Sequence, residues 1–173
     1  MKKRLEVLEN VPLFKEVKPD TLKRLVEIAK PIKFSAGDTV IKEGDAGSSM
    51  FVLMEGKVRI TKNITLKPTD PDSESIEKDL ITLSAEDHPV FGEMSLLEKD
   101  VRTATVTALT DVELLVIEKD DFQNLAVHDY ESAYHVVLEI ARTVSSRLRK
   151  TDRDIVKLTT VLGIALSRER GRN

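Results

Sequence analysis

Apolar residues follow three successive rhythms along the chain. Up to about Ala29 the spacing is helical: Leu5 pairs with Leu8, and Leu22, Leu25, Val26 and Ala29 follow the start signal Pro19-Asp20. Pro31 ends that segment. From Ile32 to about Ile117 the rhythm shortens to β-rich runs: DTVI, MFVLM, KVRITKN, DLITL, RTATVTAL and VELLVI. Turn clusters such as EGDAGSS and MEGK divide them. Runs at this spacing predict a sandwich, roll or barrel, so the fold class is mainly β with flanking helices, an α+β arrangement. The stretch KPTDPDSESIEKD at 67–79, rich in Pro, Asp and Ser, is expected to form a protruding solvated loop.

Beyond EKDDF, where Asp120 or Asp121 is expected to cap a short helix, the chain reads helical. Val137, Ala141, Val144, Leu148, Thr151, Ile155, Leu158, Leu162 and Ala165 recur at alternating spacings of four and three, the a/d seam of a left-handed coiled coil. Thr151 is the one polar position on it. A helix packed along its own domain carries a broader stripe. The seam therefore predicts a parallel homodimer, and a boundary near 130 between a β domain (1–130) and a dimerisation helix (131–173).

Composition narrows the chemistry. The 173 residues carry 27 Lys or Arg against 30 Asp or Glu, and 40% are hydrophobic, which suits a folded soluble domain with a core. With no cysteine, disulfides, thiolate metal sites and a Cys nucleophile are excluded, and a reducing cytoplasm is the expected compartment. Glu6 and Glu9 interrupt the apolar segment an export signal needs, and no apolar run is long enough to span a bilayer. The NIT sequon at Asn63 is read as coincidence. From Arg142 onward nine Lys or Arg face three Asp or Glu, a local net of +6 that leaves −9 for the rest. No aromatic residues are interleaved there for base stacking, so a solvated helix exterior is expected rather than a nucleic-acid surface.

Catalytic arrangements find no support. GDAGSS lacks the Gly-Lys-Ser/Thr ending of a P-loop. His88, His128 and His135 do not cluster as the ligands of a β-barrel metalloenzyme would, and His88 beside Asp87 reads as a solvated loop pair. No Ser-His-Asp or paired-carboxylate set stands out.

The candidate chemistry sits in FGEMSLLEKDVRTATV, at 91–106. If RTATVTA is one strand, Arg102 shares a face with Ala104, Val106 and Ala108, opposite Thr103, Thr105 and Thr107. An inward guanidinium cannot shed its charge and requires an anion or a full hydrogen-bond set. Glu93, Glu98 and Asp100 are candidate internal partners, and an external phosphate is another. Gly92 permits close backbone approach. EMSLL can form a short helical turn whose N–H groups attract an anion, and Glu93 can accept from a sugar hydroxyl.

This stretch resembles the phosphate-binding cassette of the cyclic-nucleotide-binding domain family. The likeness extends from about Leu13 to Phe122 through FSAGDTVIKEGDAGSSMFVLMEGKVRI and LTDVELLVIEKDDF, with β-roll turn glycines at Gly37, Gly44, Gly47 and Gly56. It implies a jelly-roll-like β-roll and a non-enzymatic receptor for cAMP or cGMP, with no further cofactor. Gly92, Glu93 and Arg102 would bind the ribose and cyclic phosphate, with Met94, Ser95, Thr103 and Ala104 contributing. Thr151 in RLRKT would cover the base from the dimer helix, as in catabolite-activator-type regulators. Thr103 resembles cGMP-responsive members and also occurs in receptors that respond to both nucleotides.

Two departures bear on that implication. The family's Gly-Asp turn before the cassette is replaced by SAEDHPVFGE, and its common cassette Ala by Ser95. The helix-turn-helix of the activator type does not follow, so DNA reading of that kind is not expected, and the output partner would be an unidentified protein. The alternative is a degenerate member of the fold, acting as a ligand-free dimeric interaction module in which Arg102 pairs with a neighbouring carboxylate.

Overall fold

In the computed structural model the described residues are 1–65, 75–97 and 100–170, and the chain divides into two compact units, Met1–Val137 and Leu138–Asn173. The helical opening comprises α1 (Lys2–Asn10), a 3-10 turn at Pro12–Phe14 and α2 (Pro19–Ile28). Pro19 occupies the first turn of α2, where its missing N–H costs nothing, and Leu22, Leu25 and Val26 are buried on one face. Pro31 bars the α conformation at Lys30. The chain therefore passes straight from α2 into a strand.

The strands, in chain order, are β1 (Lys30–Phe34), β2 (Thr39–Ile41), β3 (Ala46–Gly47), β4 (Ser49–Glu55), β5 (Lys57–Thr65), β6 (Ser75–Ser84), β7 (Val90–Phe91), β8 (Asp100–Val101), β9 (Thr105–Ala108) and β10 (Val112–Glu118). They pair antiparallel as β1-β10-β4-β7, as β2-β9-β5-β6, and as the small pair β3-β8. Pro31 sits on the edge strand β1, where a missing donor is tolerated. This is the expected mainly-β roll with flanking helices.

Ile41, Phe51, Leu53, Val58, Phe91, Val106, Ala108, Val112 and Leu114 form one buried apolar cluster drawn from both large sheets. Strands β4 and β10 are buried on both faces: Leu53 and Leu114 belong to that cluster, while Val52 and Leu115, opposite each other in register, are equally inaccessible. Helix α1 touches β4 and α3 (Lys119–His128) touches β10. Two-sided burial is why MFVLM and VELLVI read as continuous apolar runs rather than alternations.

Three sequence expectations need correction. The loop expected at 67–79 is strand from Ser75, where Ser75 faces Thr65 and Asp79 faces Thr61; residues 67–74 lie outside those described. Asp120 and Asp121 do not cap α3: the cap position is Glu118, and both aspartates lie in the first turn, where carboxylates suit the helix dipole. The run RTATVTA is not one strand, because β9 begins only at Thr105 and 102–104 form an irregular crossing.

The long helix is α4 (Tyr130–Arg170). Asp129 caps it, accepting from the Ser132 N–H at 3.1 Å, and also accepts from the hydroxyls of Thr21 and Ser132. These bonds hold the Asp129 carboxyl well below the ordinary carboxylate range. The Lys18 N–H donates to Ser132 Oγ at 3.1 Å, so the start of α2 is tied to the start of α4. Along α4 the apolar residues Leu148, Ile155 and Leu158 are exposed, and the Thr151 hydroxyl donates back to the Arg147 carbonyl at 3.1 Å.

Candidate functional site

The segment 102–104 owes its position to the turn before β3. Arg102 N–H donates to the Asp45 carbonyl at 2.8 Å, and the Arg102 carbonyl accepts from Gly44 N–H at 2.9 Å. Gly44 lies in the left-handed region, φ 88°, which lets that turn close without a Cβ penalty. Arg102 therefore enters the fold pinned by its own backbone.

Its side chain lies across Gly47. A Cβ built on Gly47 would stand 2.0 Å from Arg102 Nε, so only glycine leaves room for the guanidinium there. Gly92, in the left-handed region at φ 72°, approaches from the other side, where a Cβ would stand 2.8 Å from Nη1. Arg102 Nη1 donates to the Ser49 carbonyl and to Ser95 Oγ, each at 2.8 Å, and Nη2 donates to Ser49 Oγ at 3.0 Å. The guanidinium carbon lies 5.7 Å from the ring centre of Phe51, which stacks on Phe91 with centroids 5.4 Å apart.

Arg102 is 9% exposed, and among the described residues no carboxylate reaches ion-pair distance of it. Burial lowers its pKa below the ordinary arginine value, and the field of Glu118 opposes that shift. A guanidinium stays protonated even so. Of the expected internal partners, Glu93 is not at ion-pair distance, while the side chains of Glu98 and Asp100 lie outside those described; the partners the described residues supply are two serines. The result is a buried cation that no carboxylate among the described residues neutralises by direct contact.

The stretch EMSL forms a 3-10 turn, Glu93–Leu96, with Gly92 at its cap, and the turn's own hydrogen bonding begins with Ser95 N–H to Gly92 carbonyl at 3.1 Å. Glu93 is buried and Met94 is partly exposed. Gly92 and Ser95 thus flank the Arg102 guanidinium, with Glu93 and Met94 between them in the turn. Thr103 is exposed and Ala104 half-buried in the irregular crossing, with Lys62 Nζ donating to the Thr103 carbonyl at 3.2 Å. Thr151 belongs to the second unit, on α4.

The turn leading into β7 is closed by a residue other than glycine. His88 adopts φ 47°, ψ 49°, the left-handed conformation a glycine reaches without a Cβ penalty. It is half-buried with Nδ1 out of solvent, not the solvated loop residue expected. Its geometry delivers Pro89, whose carbonyl accepts from Leu53 N–H at 3.1 Å, and then β7 beside Gly92.

Residues 31–129 match the family described as cyclic nucleotide-binding domain. The chain belongs to that family. Among curated members, it is 36% identical over 119 residues to the cGMP-dependent protein kinase isozyme 1 of Drosophila melanogaster, covering 68% of this chain and 14% of the kinase. It is 26% identical over 153 residues to a CRP-like cAMP-activated global transcriptional regulator of Mycobacterium tuberculosis, covering 88% of this chain and 62% of the regulator. The Thermus thermophilus catabolite activator protein superposes with a TM-score of 0.70 at 26% identity, over 86% of this chain and 63% of that one. The chain thus spans less than two thirds of these relatives.

Within this cyclic-nucleotide-binding domain, sequence reasoning missed the cage around the arginine. Ser49 precedes an apolar run and reads as a turn residue, and Gly47 reads as one of several turn glycines. Lys119 gave no signal, yet it is 9% exposed, with Nζ donating to the Leu97 carbonyl at 3.1 Å. Among the described residues no cluster of His, Asp or Glu could hold a metal, and no helix is long and apolar enough to cross a membrane.

Proposed function

We propose that this chain is a receptor for a 3′,5′-cyclic mononucleotide, cAMP or cGMP, that acts as a regulatory sensor and not as an enzyme. The carrying observation is Arg102: a buried guanidinium held by two serines, with no carboxylate of the described residues against it, beside a glycine-capped turn that bears a buried Glu93. A cyclic phosphate supplies the charge this cation lacks through charge-assisted, bidentate contact. Arg102 and the backbone at Met94 and Ser95 would take the phosphate, Glu93 would accept from the ribose 2′-hydroxyl, and Gly92, Thr103 and Ala104 would line the site. The names of the kinase and the regulator, one for cGMP and one for cAMP, support either nucleotide as ligand.

The proposal extends to a parallel homodimer through α4, a domain boundary near 130, and Thr151 as the residue that meets the base. Exposed Leu148, Ile155 and Leu158 on the a/d line support the seam. The signal would pass to a protein partner in the cytoplasm.

Two observations favour the ligand-free module instead: Arg102 already has three hydrogen bonds, and the approach turn is closed by His88 in a left-handed conformation, with no glycine. Titration calorimetry with cAMP, cGMP and a cyclic dinucleotide decides between them. Micromolar binding of a mononucleotide, about −8 kcal/mol, is expected. Absence of heat at millimolar ligand leaves the module reading.

A further inference from the structure

We infer that Lys119, the first residue of α3, is a positioning residue for the anion site: it holds the two walls that carry the hydrogen-bond partners of Arg102 at a fixed separation. The inference rests on the cyclic-nucleotide reading above for its ligand, and on a closed ring of contacts for its geometry. Arg102 bonds one wall at Ser49, through Oγ and the carbonyl, and the other at Ser95 Oγ. Lys119 bonds the same two walls. Its backbone N–H donates to the Ser48 carbonyl at 2.8 Å, and its Nζ donates to the Leu97 carbonyl at 3.1 Å.

An incoming phosphate competes for the guanidinium N–H groups that hold Ser49 and Ser95 together. When those bonds are exchanged for contacts to the ligand, the Lys119 bonds remain to keep the walls in register. The position of Lys119 suits that task. The residue is 9% exposed and the bond part-buried, and a bond from a charged donor to a carbonyl is stronger than a neutral one. Leu97 follows the 3-10 turn directly, so releasing its carbonyl frees the end of the turn from α3.

The test compares the full chain with Lys119→Met, which keeps the apolar stem without the donor, and Lys119→Arg, which keeps a cationic donor. Calorimetry with cAMP and with cGMP is joined to amide exchange at Ser95 and Leu97 in the ligand-free protein. Lys119→Met is expected to weaken both nucleotides by about tenfold (about 1.4 kcal/mol), equally, because the base is not involved, and to raise exchange at both amides by at least as much. Lys119→Arg is expected to restore both readings to within about threefold of wild type, about 0.65 kcal/mol. Unchanged affinity and exchange in Lys119→Met overturn the inference, as does equal weakening in Lys119→Arg, the variant that also decides the matter if the methionine protein does not fold. If the wild type binds neither nucleotide, the receptor reading fails, and the exchange comparison alone judges whether Lys119 holds the turn.

Discussion

The paired strands β4 and β10 and the Arg102 site lie side by side and are held by opposite means. In the strands, Val52, Leu53, Leu114 and Leu115 are wholly inaccessible and each face meets apolar neighbours, so burial itself stabilises them. Beside them Ser49 opens β4 and holds by hydrogen bonds a guanidinium that burial disfavours and that lies over the Phe51 ring. The difference teaches that stability and recognition are separable here. The apolar pair makes the fold, and on the proposed function the cation uses the fold's rigidity to receive an anion.

Substitutions can break that separation, and the largest effects fall on its two poles. Arg102→Met is expected to cost roughly 2 to 5 kcal/mol of nucleotide affinity, while the unfolding free energy moves by no more than about 1 kcal/mol. Leu114→Ala should do the reverse, with roughly 2 to 5 kcal/mol of stability lost by denaturant titration and affinity retained in the molecules that remain folded. A stability loss from Arg102→Met as large as that from Leu114→Ala would mean that the cation is structural.

Gly47→Ala sharpens the comparison at a point where no contact is removed. The new Cβ would collide with Arg102 Nε, so the guanidinium must leave its place over Phe51. About tenfold weaker binding is expected, about 1.4 kcal/mol, with melting temperature little changed; wild-type affinity would show that the arginine needs no fixed berth.

Asp129 tests whether hydrogen bonds at the other end of the domain stabilise as the apolar core does. Its carboxyl is held below its ordinary pKa by Thr21 and Ser132, so the folded state favours the charged form. The stabilisation is fully present above the unfolded carboxylate value, near about 3.9, and is lost as pH falls through the depressed folded value. Asp129→Ala should cost about 1 kcal/mol at pH 7, and the gap to wild type should close on acidification below about pH 4. A gap that persists in acid would assign the effect to packing.

The smallest effect is expected at His88. Relieving its left-handed backbone with His88→Gly should raise stability by a few tenths to about 1 kcal/mol. Thermal melting checks this, and a loss would mean that the half-buried imidazole contributes more than its backbone costs.

Most of the roll was legible in the sequence because its signals are local. Turn glycines and apolar runs mark β2, β4, β5 and β10, and Gly92 through Ser95 with Arg102 stand at a spacing that brings them together. The cage around Arg102 was not legible, since Ser49 and Ser95 are separated by strands and a serine hydroxyl carries no pattern of its own. Lys119 was hidden for the opposite reason: a lysine opening a helix ordinarily reads as solvated, and only the tertiary fold buries it against Leu97. The irregular crossing at 102–104 was misread because alternation of size continued through it, Arg102, Val106 and Ala108 being buried although the strand begins at Thr105.

The central claim is that the Arg102 guanidinium exchanges its serine partners for a cyclic phosphate. The most direct measurement follows the arginine Nε–H signals by nuclear magnetic resonance during titration with cAMP and cGMP, with Arg102→Lys identifying the Arg102 signal by its loss. A saturable shift of that one signal, matching the calorimetric affinity, is the expected result. Nucleotide binding that leaves the Arg102 signal where it stands would contradict the account.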